Sequence, residues 1–216
     1  MDKIINIDQL NSLILEIRNL REGFVTNFYL DEVKHGAWIN TGLFLYHKWE
    51  DTIFLFFEHA IFEKNDNFVN LFYISTSEEN VIQHLIECKM LFKSIPYMLD
   101  IVGRDTMCLS FVEKLKGIGA QHQTTLRRMI RIGKPVEQRV YSGENVKYVN
   151  NDDINTVDNL LRMNFDEQLE QLPLRSELKK MIKDKHILKY TFNNEVVGLL
   201  LFDLNTTTLY LKYWLT

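Results

Sequence analysis

A helical segment followed by three β-forming segments, joined by short polar connections, occurs twice along this chain. That order limits the fold more than any single motif does. In the first pass, residues 7–20 place Leu10, Leu13, Ile14, Ile17 and Leu20 at helical spacing, with Asp8 positioned to cap the start. Residues 24–33 are rich in β-formers, and residues 37–49, 52–60 and 68–76 read as strands. Polar stretches at 48–51 and 63–67 supply the turns between them, so an antiparallel meander is expected.

The pattern then changes. Ser77-Glu78-Glu79-Asn80 resembles a helix start, and Val81, Leu85, Cys88 and Phe92 follow at helical spacing until Pro96. Residues 97–102 read as a strand, 106–115 as a helix and 121–132 as a closing strand. The second pass opens with a strand at 146–149. Asn151-Asp152-Asp153 caps a helix that runs to Leu161, and a second helix spans 175–184. Strands at 187–192, 196–204 and 208–215 follow, turned by Asn193-Asn194 and Asn205-Thr206. The repetition lies in element order and not in residue identity. The expected fold class is α/β, in the α+β sense: two units, each a mostly antiparallel mixed sheet with packed helices. Their expected spans are 1–140 and 141–216, with Gly133, Pro135 and Gly143 marking the connection.

Composition narrows the chemistry. Hydrophobic residues make up 46% of the 216, enough for a real core. The formal net charge of −4, with no basic block, argues against a nucleic-acid partner. Cys88 and Cys108 have no CxxC partner, so neither a disulfide framework nor a zinc site is expected, and a reducing, cytoplasmic location fits. Charges at Asp2, Lys3, Asp8, Glu16 and Arg18 break up the first twenty residues, which lack the apolar run of a signal peptide. No stretch reaches the roughly 20 apolar residues of a membrane helix, so no membrane partner is expected. The six histidines are scattered without ligand spacing, and no metal site is expected. Glu58-His59 reads as neighbouring strand residues facing opposite sides, and Arg127, Arg128 and Arg131 as a solvated strand surface. The aromatic run from Phe54 to Tyr73 is either core or the lining of an apolar ligand pocket.

Several segments resemble the GNAT family of N-acetyltransferases. In the second half these are Val146-Lys147-Tyr148-Val149, Asn151-Asp152-Asp153, the Asn194-Glu195-Val196-Val197-Gly198 turn with the apolar strand after it, and Leu209-Tyr210-Leu211-Lys212-Tyr213-Trp214-Leu215. In the first half, Phe111 to Leu115 is similar to that family's late helix, and Leu126 to Arg131 to its closing strand. The resemblance implies a tandem arrangement: a degenerate first unit, and a second unit that stops after its meander. In the family, the fourth strand leads into a glycine loop and a helix N-terminus that hold the pyrophosphate of coenzyme A. The first half has Ser77-Glu78-Glu79-Asn80-Val81-Ile82 at that place, with no glycine and two carboxylates. The second half stops at Thr216, where the loop would begin, so a truncated chain or gene product is expected. A competing match, Lys114-Leu115-Lys116-Gly117-Ile118-Gly119-Ala120, follows a helix instead of a meander and reads better as a helix-ending turn.

The resemblance implies transfer of an acetyl group from acetyl-CoA, as co-substrate, to an amine on a small molecule or peptide. Tyr213, Trp214 and Leu215 would border the pantetheine arm, and Phe165, Asp166 and Glu167 the acceptor. No catalytic base is identified; Glu195 reads as solvent-facing. The other expectation is a non-catalytic binding or regulatory module on the same scaffold. The terminal apolar strand would expose an unpaired edge, so a homo-oligomer through that edge is a further expectation.

Overall fold

The computed structural model describes residues 1–60, 67–88, 96–125, 145–167, 169–204 and 208–216. The chain is a mixed α/β protein that forms two compact units, Met1–Gln123 and Thr124–Thr216. Turn residues 63–66 and 205–206, Phe62, Phe92, the arginines at 127, 128 and 131, and Gly133, Pro135 and Gly143 lie outside the described residues.

Unit 1 opens with β1 (Asp2–Lys3) and α1 (Ile7–Asn19). The cap of α1 is Asn6, not Asp8: the Asn6 side chain accepts from the Gln9 N–H at 2.8 Å. After β2 (Val25–Thr26) the chain departs from its β-rich reading and forms α2 (Glu32–Thr41). The caps decide this. Asp31 Oδ1 accepts from the N–H groups of Val33 and Lys34 at 3.0 and 2.9 Å, and Gly42 ends the helix at φ 71°. The helix then drives His35 and Trp38, three residues apart, into the core. The first meander strand is accordingly short: β3 (Phe44–Lys48) precedes β4 (Thr52–Ala60) and β5 (Asn67–Ser75).

The sheet order is β1-β3-β4-β5-β2, with β6 (Tyr97–Leu99) parallel to β5. Residues 53–57 and 68–74 are buried on both faces, as their nearly unbroken apolar sequences require. On one face Trp38 stacks on Phe57 at 4.2 Å. On the other, Phe54, Phe56 and Leu71 pack against Val81 and Leu85 of α3 (Glu78–Cys88) and Phe111 of α4 (Asp105–Gly117). Strand β6 ends at Leu99, short of residue 102, and residues 121–125 form no strand; the remainder of the expected closing strand lies outside the described residues.

The approach to β2 depends on a glycine. Gly23 has φ 131°, and a Cβ there would sit 2.4 Å from the carbonyl oxygen of Thr76. Gly23→Ala is expected to destabilise unit 1 by about 2 kcal/mol, through strain and a backbone clash together. Urea unfolding checks this, and an unchanged midpoint would contradict it.

Unit 2 contains β7 (Val146–Tyr148), a 3-10 turn (Asn151–Asp153), α5 (Ile154–Asn164), α6 (Arg175–Lys183), β8 (Ile187–Phe192), β9 (Glu195–Leu204) and β10 (Leu209–Leu215). Its sheet is antiparallel throughout, in the order β10-β9-β8-β7. The start is capped by Asn150, one residue before the expected group; its side chain accepts from the Asp152 and Asp153 N–H groups, and Asp153 returns a bond to the Asn150 N–H. Asn193 and Asn194 take positive φ (52° and 65°) in the β8–β9 turn, the two-residue hairpin geometry that asparagine tolerates. Leu161, Leu178, Ile187, Leu199 and Leu201 form the core between the helices and one sheet face. Under that layer Lys189 reaches both carboxylate oxygens of Asp153 at 2.6 Å. Burial opposes ionisation of Asp153, but the Asn150 N–H and Lys189 outweigh it and hold the carboxyl below its usual range.

Candidate functional site

In unit 2 the candidate site is built on β10, the last strand of its sheet. β10 pairs with β9 on one side, and no strand borders its other side among the described residues. The ladder shifts register between Leu211, opposite Phe202, and Tyr213, opposite Leu201, so Lys212 is an extra residue. Such a bulge turns backbone groups out of the ladder and re-aims the side chains beyond it. Lys212 Nζ lies 2.7 Å from Asp203 Oδ2, which anchors the bulge to β9. Gly198 allows the end of β10 to approach: a Cβ there would lie 3.2 Å from the Leu215 carbonyl oxygen.

Past the bulge, Tyr213 and Leu215 pack toward the helix layer, whereas Trp214 is 69% exposed on the other face. Tyr213 meets Phe165 edge-on at 5.2 Å, so one residue from each of the two expected groups is brought together. The Tyr213 hydroxyl donates to the Gln171 carbonyl at 2.7 Å, and burial, with Glu170 and Glu177 nearby, pushes its pKa up. That phenol is fixed as a neutral donor to the backbone and is not available as a base. Phe165 ends α5, its N–H bonded to the Leu161 carbonyl. Asp166 turns the chain: its carbonyl accepts from Leu169 and Glu170. Glu167 pairs with Arg162 at 2.7 Å, and Arg162 also holds Asp158 at 3.0 Å. Glu195 is exposed at the start of β9.

Unit 1 has the same helix–meander order, yet its equivalent strand is closed off. Strands β5 and β6 pair over only three residues, 69–71 with 97–99. Beyond that, β2 takes the edge of β5, with Val25 opposite Ser75 and Thr26 opposite Ile74. The side chain of Asn27 fills the interval between them: its amide nitrogen donates to the carbonyls of Leu71 (3.3 Å) and Asp100 (2.8 Å), and its oxygen accepts from the Tyr73 N–H (2.7 Å). At the N-terminus of α3 the Ser77 hydroxyl accepts from the Asn80 N–H at 3.1 Å, and Lys114 pairs with Glu78 and Glu79 at 3.0 and 2.8 Å. The Gly117–Ala120 segment is a helix end. The N–H groups of Ile118, Gly119 and Ala120 bond back to carbonyls of Leu115 and Lys116, leaving no cradle for an anion.

Among the described residues no helix is long and apolar enough to cross a membrane, and no group of three or more potential metal ligands comes together. Tyr73 falls in the aromatic run read as core or pocket lining, whereas sequence reasoning missed Asn27, Arg18 and the bulge at Lys212. They carry no local motif, and only chain crossings tens of residues apart bring them into play. Compared with known proteins, the chain matches no family model and no curated protein.

Proposed function

We propose that this protein is an acyl-CoA-dependent N-acetyltransferase in which unit 2 receives the pantetheine arm along the open edge of β10, and unit 1 is a non-catalytic scaffold. The observation that carries this reading is the difference between the two units at equivalent strands. The outer edge of β10 is bulged and has no partner strand among the described residues, whereas that of β5 is filled by Val25, Thr26 and Asn27. An extended arm with two amides pairs with a strand edge as an added strand does. The acyl thioester would supply the activated carbonyl: a neutral amine forms the C–N bond, the C–S bond breaks, and coenzyme A leaves as the thiolate and takes up the proton that the amine loses.

The chain's own contribution is positional. A backbone N–H at the Lys212 bulge would face the developing oxyanion, and Phe165 against Tyr213 forms an apolar wall that excludes water. The acceptor is a small-molecule or peptide amine entering past Phe165, Asp166 and Glu167. The first meander is followed by Ser77-Glu78-Glu79-Asn80 and not by a glycine loop, and the N–H groups of residues 118–120 are spent on the end of α4, so neither anchors a pyrophosphate. Weak cofactor binding and no saturable acetyl transfer are therefore expected of this chain by itself. The same open edge accommodates a second copy of the chain. A second reading, a binding module without chemistry, draws on unit 1, where the chain itself fills the edge and the helix N-terminus.

Titrating isotopically labelled protein with acetyl-CoA is expected to shift the backbone amides of Lys212 to Leu215 and of Phe165, and to leave those of Ile74 and Ser75 in place. Silence along β10, or shifts confined to unit 1, would overturn the proposal. Saturable turnover with an amine panel would show that the anion anchor lies elsewhere in the chain.

A further inference from the structure

Unit 1 has a half-open cavity of about 600 Å³ at the edge of its sheet, between α1, the segment 24–30 and the segment 101–111. That volume lies within the range of small-molecule sites. Its walls are apolar, formed by Val25, Phe28, Ile101 and Phe111. Two polar groups on it, the Tyr73 hydroxyl and the Arg18 guanidinium, make no side-chain hydrogen bond among the described residues. Tyr73 is only 3% exposed, and among the described residues its hydroxyl has no hydrogen-bond partner; its backbone N–H and carbonyl are taken by Asn27 and Thr26. Among the described residues no fully sealed side-chain polar atom is left unpaired, so this hydroxyl opens onto the cavity that Tyr73 lines. Buried hydroxyls are nearly always bonded, and one held open toward a cavity marks a place for an acceptor. Arg18 stands at the rim, its guanidinium 4.8 Å above the Phe24 ring, with no carboxylate partner among the described residues. The one carboxylate on the lining, Glu78, is neutralised by Lys114 at 3.0 Å.

We propose that this cavity is a binding site for a small carboxylic acid with an aryl or medium-chain alkyl body. The body packs against Phe28 and Phe111, and the acid group accepts from the Tyr73 hydroxyl and faces Arg18. The site lies wholly in unit 1 and does not depend on cofactor binding along β10. Burial, together with the neighbouring Glu78, raises the Tyr73 pKa, so the phenol remains a donor across the physiological range.

Phenylacetate and octanoate are the probes, with 2-phenylethanol and 1-octanol as uncharged counterparts, each titrated into the 216-residue protein by calorimetry and ligand-observed NMR. The acids are expected to bind with dissociation constants of about 1 mM or tighter, and the alcohols about tenfold more weakly. Tyr73→Phe deletes one oxygen and should weaken the acids about tenfold. Arg18→Gln, an exposed substitution that leaves the core alone, should bring acid and alcohol to equal affinity and keeps the test readable should Tyr73→Phe impair folding. No binding of either acid, equal binding of acids and alcohols to the unaltered protein, or acid binding indifferent to both substitutions would each overturn the assignment.

Discussion

Asn27→Ala is expected to destabilise unit 1 by about 3 kcal/mol, a large share of the 5–15 kcal/mol that holds a typical domain. The Asn27 side chain joins three backbone groups, the Leu71 and Asp100 carbonyls and the Tyr73 N–H, and is itself only 6% exposed. Leu71 and Tyr73 are buried, so truncation strands a donor and an acceptor away from water, at about 1–3 kcal/mol for each orphaned group. Strands β5 and β6 have ceased pairing at this level, and no backbone ladder takes over when the amide is lost. Asn27→Asp is a sharper variant: its shape is the same, but the ionised carboxylate donates nothing and faces two carbonyl oxygens. Urea unfolding in a Trp214→Phe background leaves Trp38 and Trp49, both in unit 1, as the fluorescence signal. A shift below about 1 kcal/mol for Asn27→Ala would mean that the amide is replaceable by water.

Acidification between pH 6.5 and 4 is expected to remove about 3 kcal/mol from unit 1 through His35 alone. This histidine is 3% exposed, sits 4.5 Å from Phe28 and 5.0 Å from Trp38, and accepts the Asp31 N–H on Nδ1 at 3.0 Å. Burial and then the Lys34 charge lower its pKa to about 4, with Asp31 acting weakly in the opposite sense. The unfolded chain takes up the proton near pH 6.5, whereas the folded chain resists until about 4. The stabilising effect of the neutral ring is therefore complete above pH 6.5 and is lost as pH falls toward 4. The slope approaches 1.4 kcal/mol per pH unit. His47, also lowered chiefly by burial, adds in the same direction. In His35→Asn the amide oxygen can accept the Asp31 N–H without titrating, so the stability slope between pH 6.5 and 5, before most carboxylates protonate, should largely flatten. An equal slope in both proteins would assign the acid sensitivity to other groups.

The legibility of the sequence varied with how local the deciding interaction is. Strands β4, β5, β8 and β9 were readable as short apolar runs bounded by polar turns, and helices α1, α3, α4, α5 and α6 by a 3.6-residue apolar period, signals that survive in any tertiary context. Helix α2 was not. Residues 37–41 favour strand by composition, and an aspartate cap before them with a left-handed glycine after them overrides that preference. Of the expected site residues, Phe165 and Tyr213 converge, Glu167 is engaged by Arg162, and Trp214 faces away from Tyr213. The β10 bulge had no sequence signal, because a register shift is a relation between two strands and not a property of one.

By itself, then, the sequence determined most of the element order outside α2 and the mixed α/β character. These follow from local periodicity and composition. Only the tertiary structure decided that β2 and Asn27 occupy the edge of β5 while, among the described residues, the edge of β10 has no strand beside it, and that Tyr73 and Arg18 meet around one cavity. Those outcomes depend on which backbone groups remain without partners once distant segments pack together. Partners set by chain crossings dozens of residues apart leave no trace in the period of any one segment.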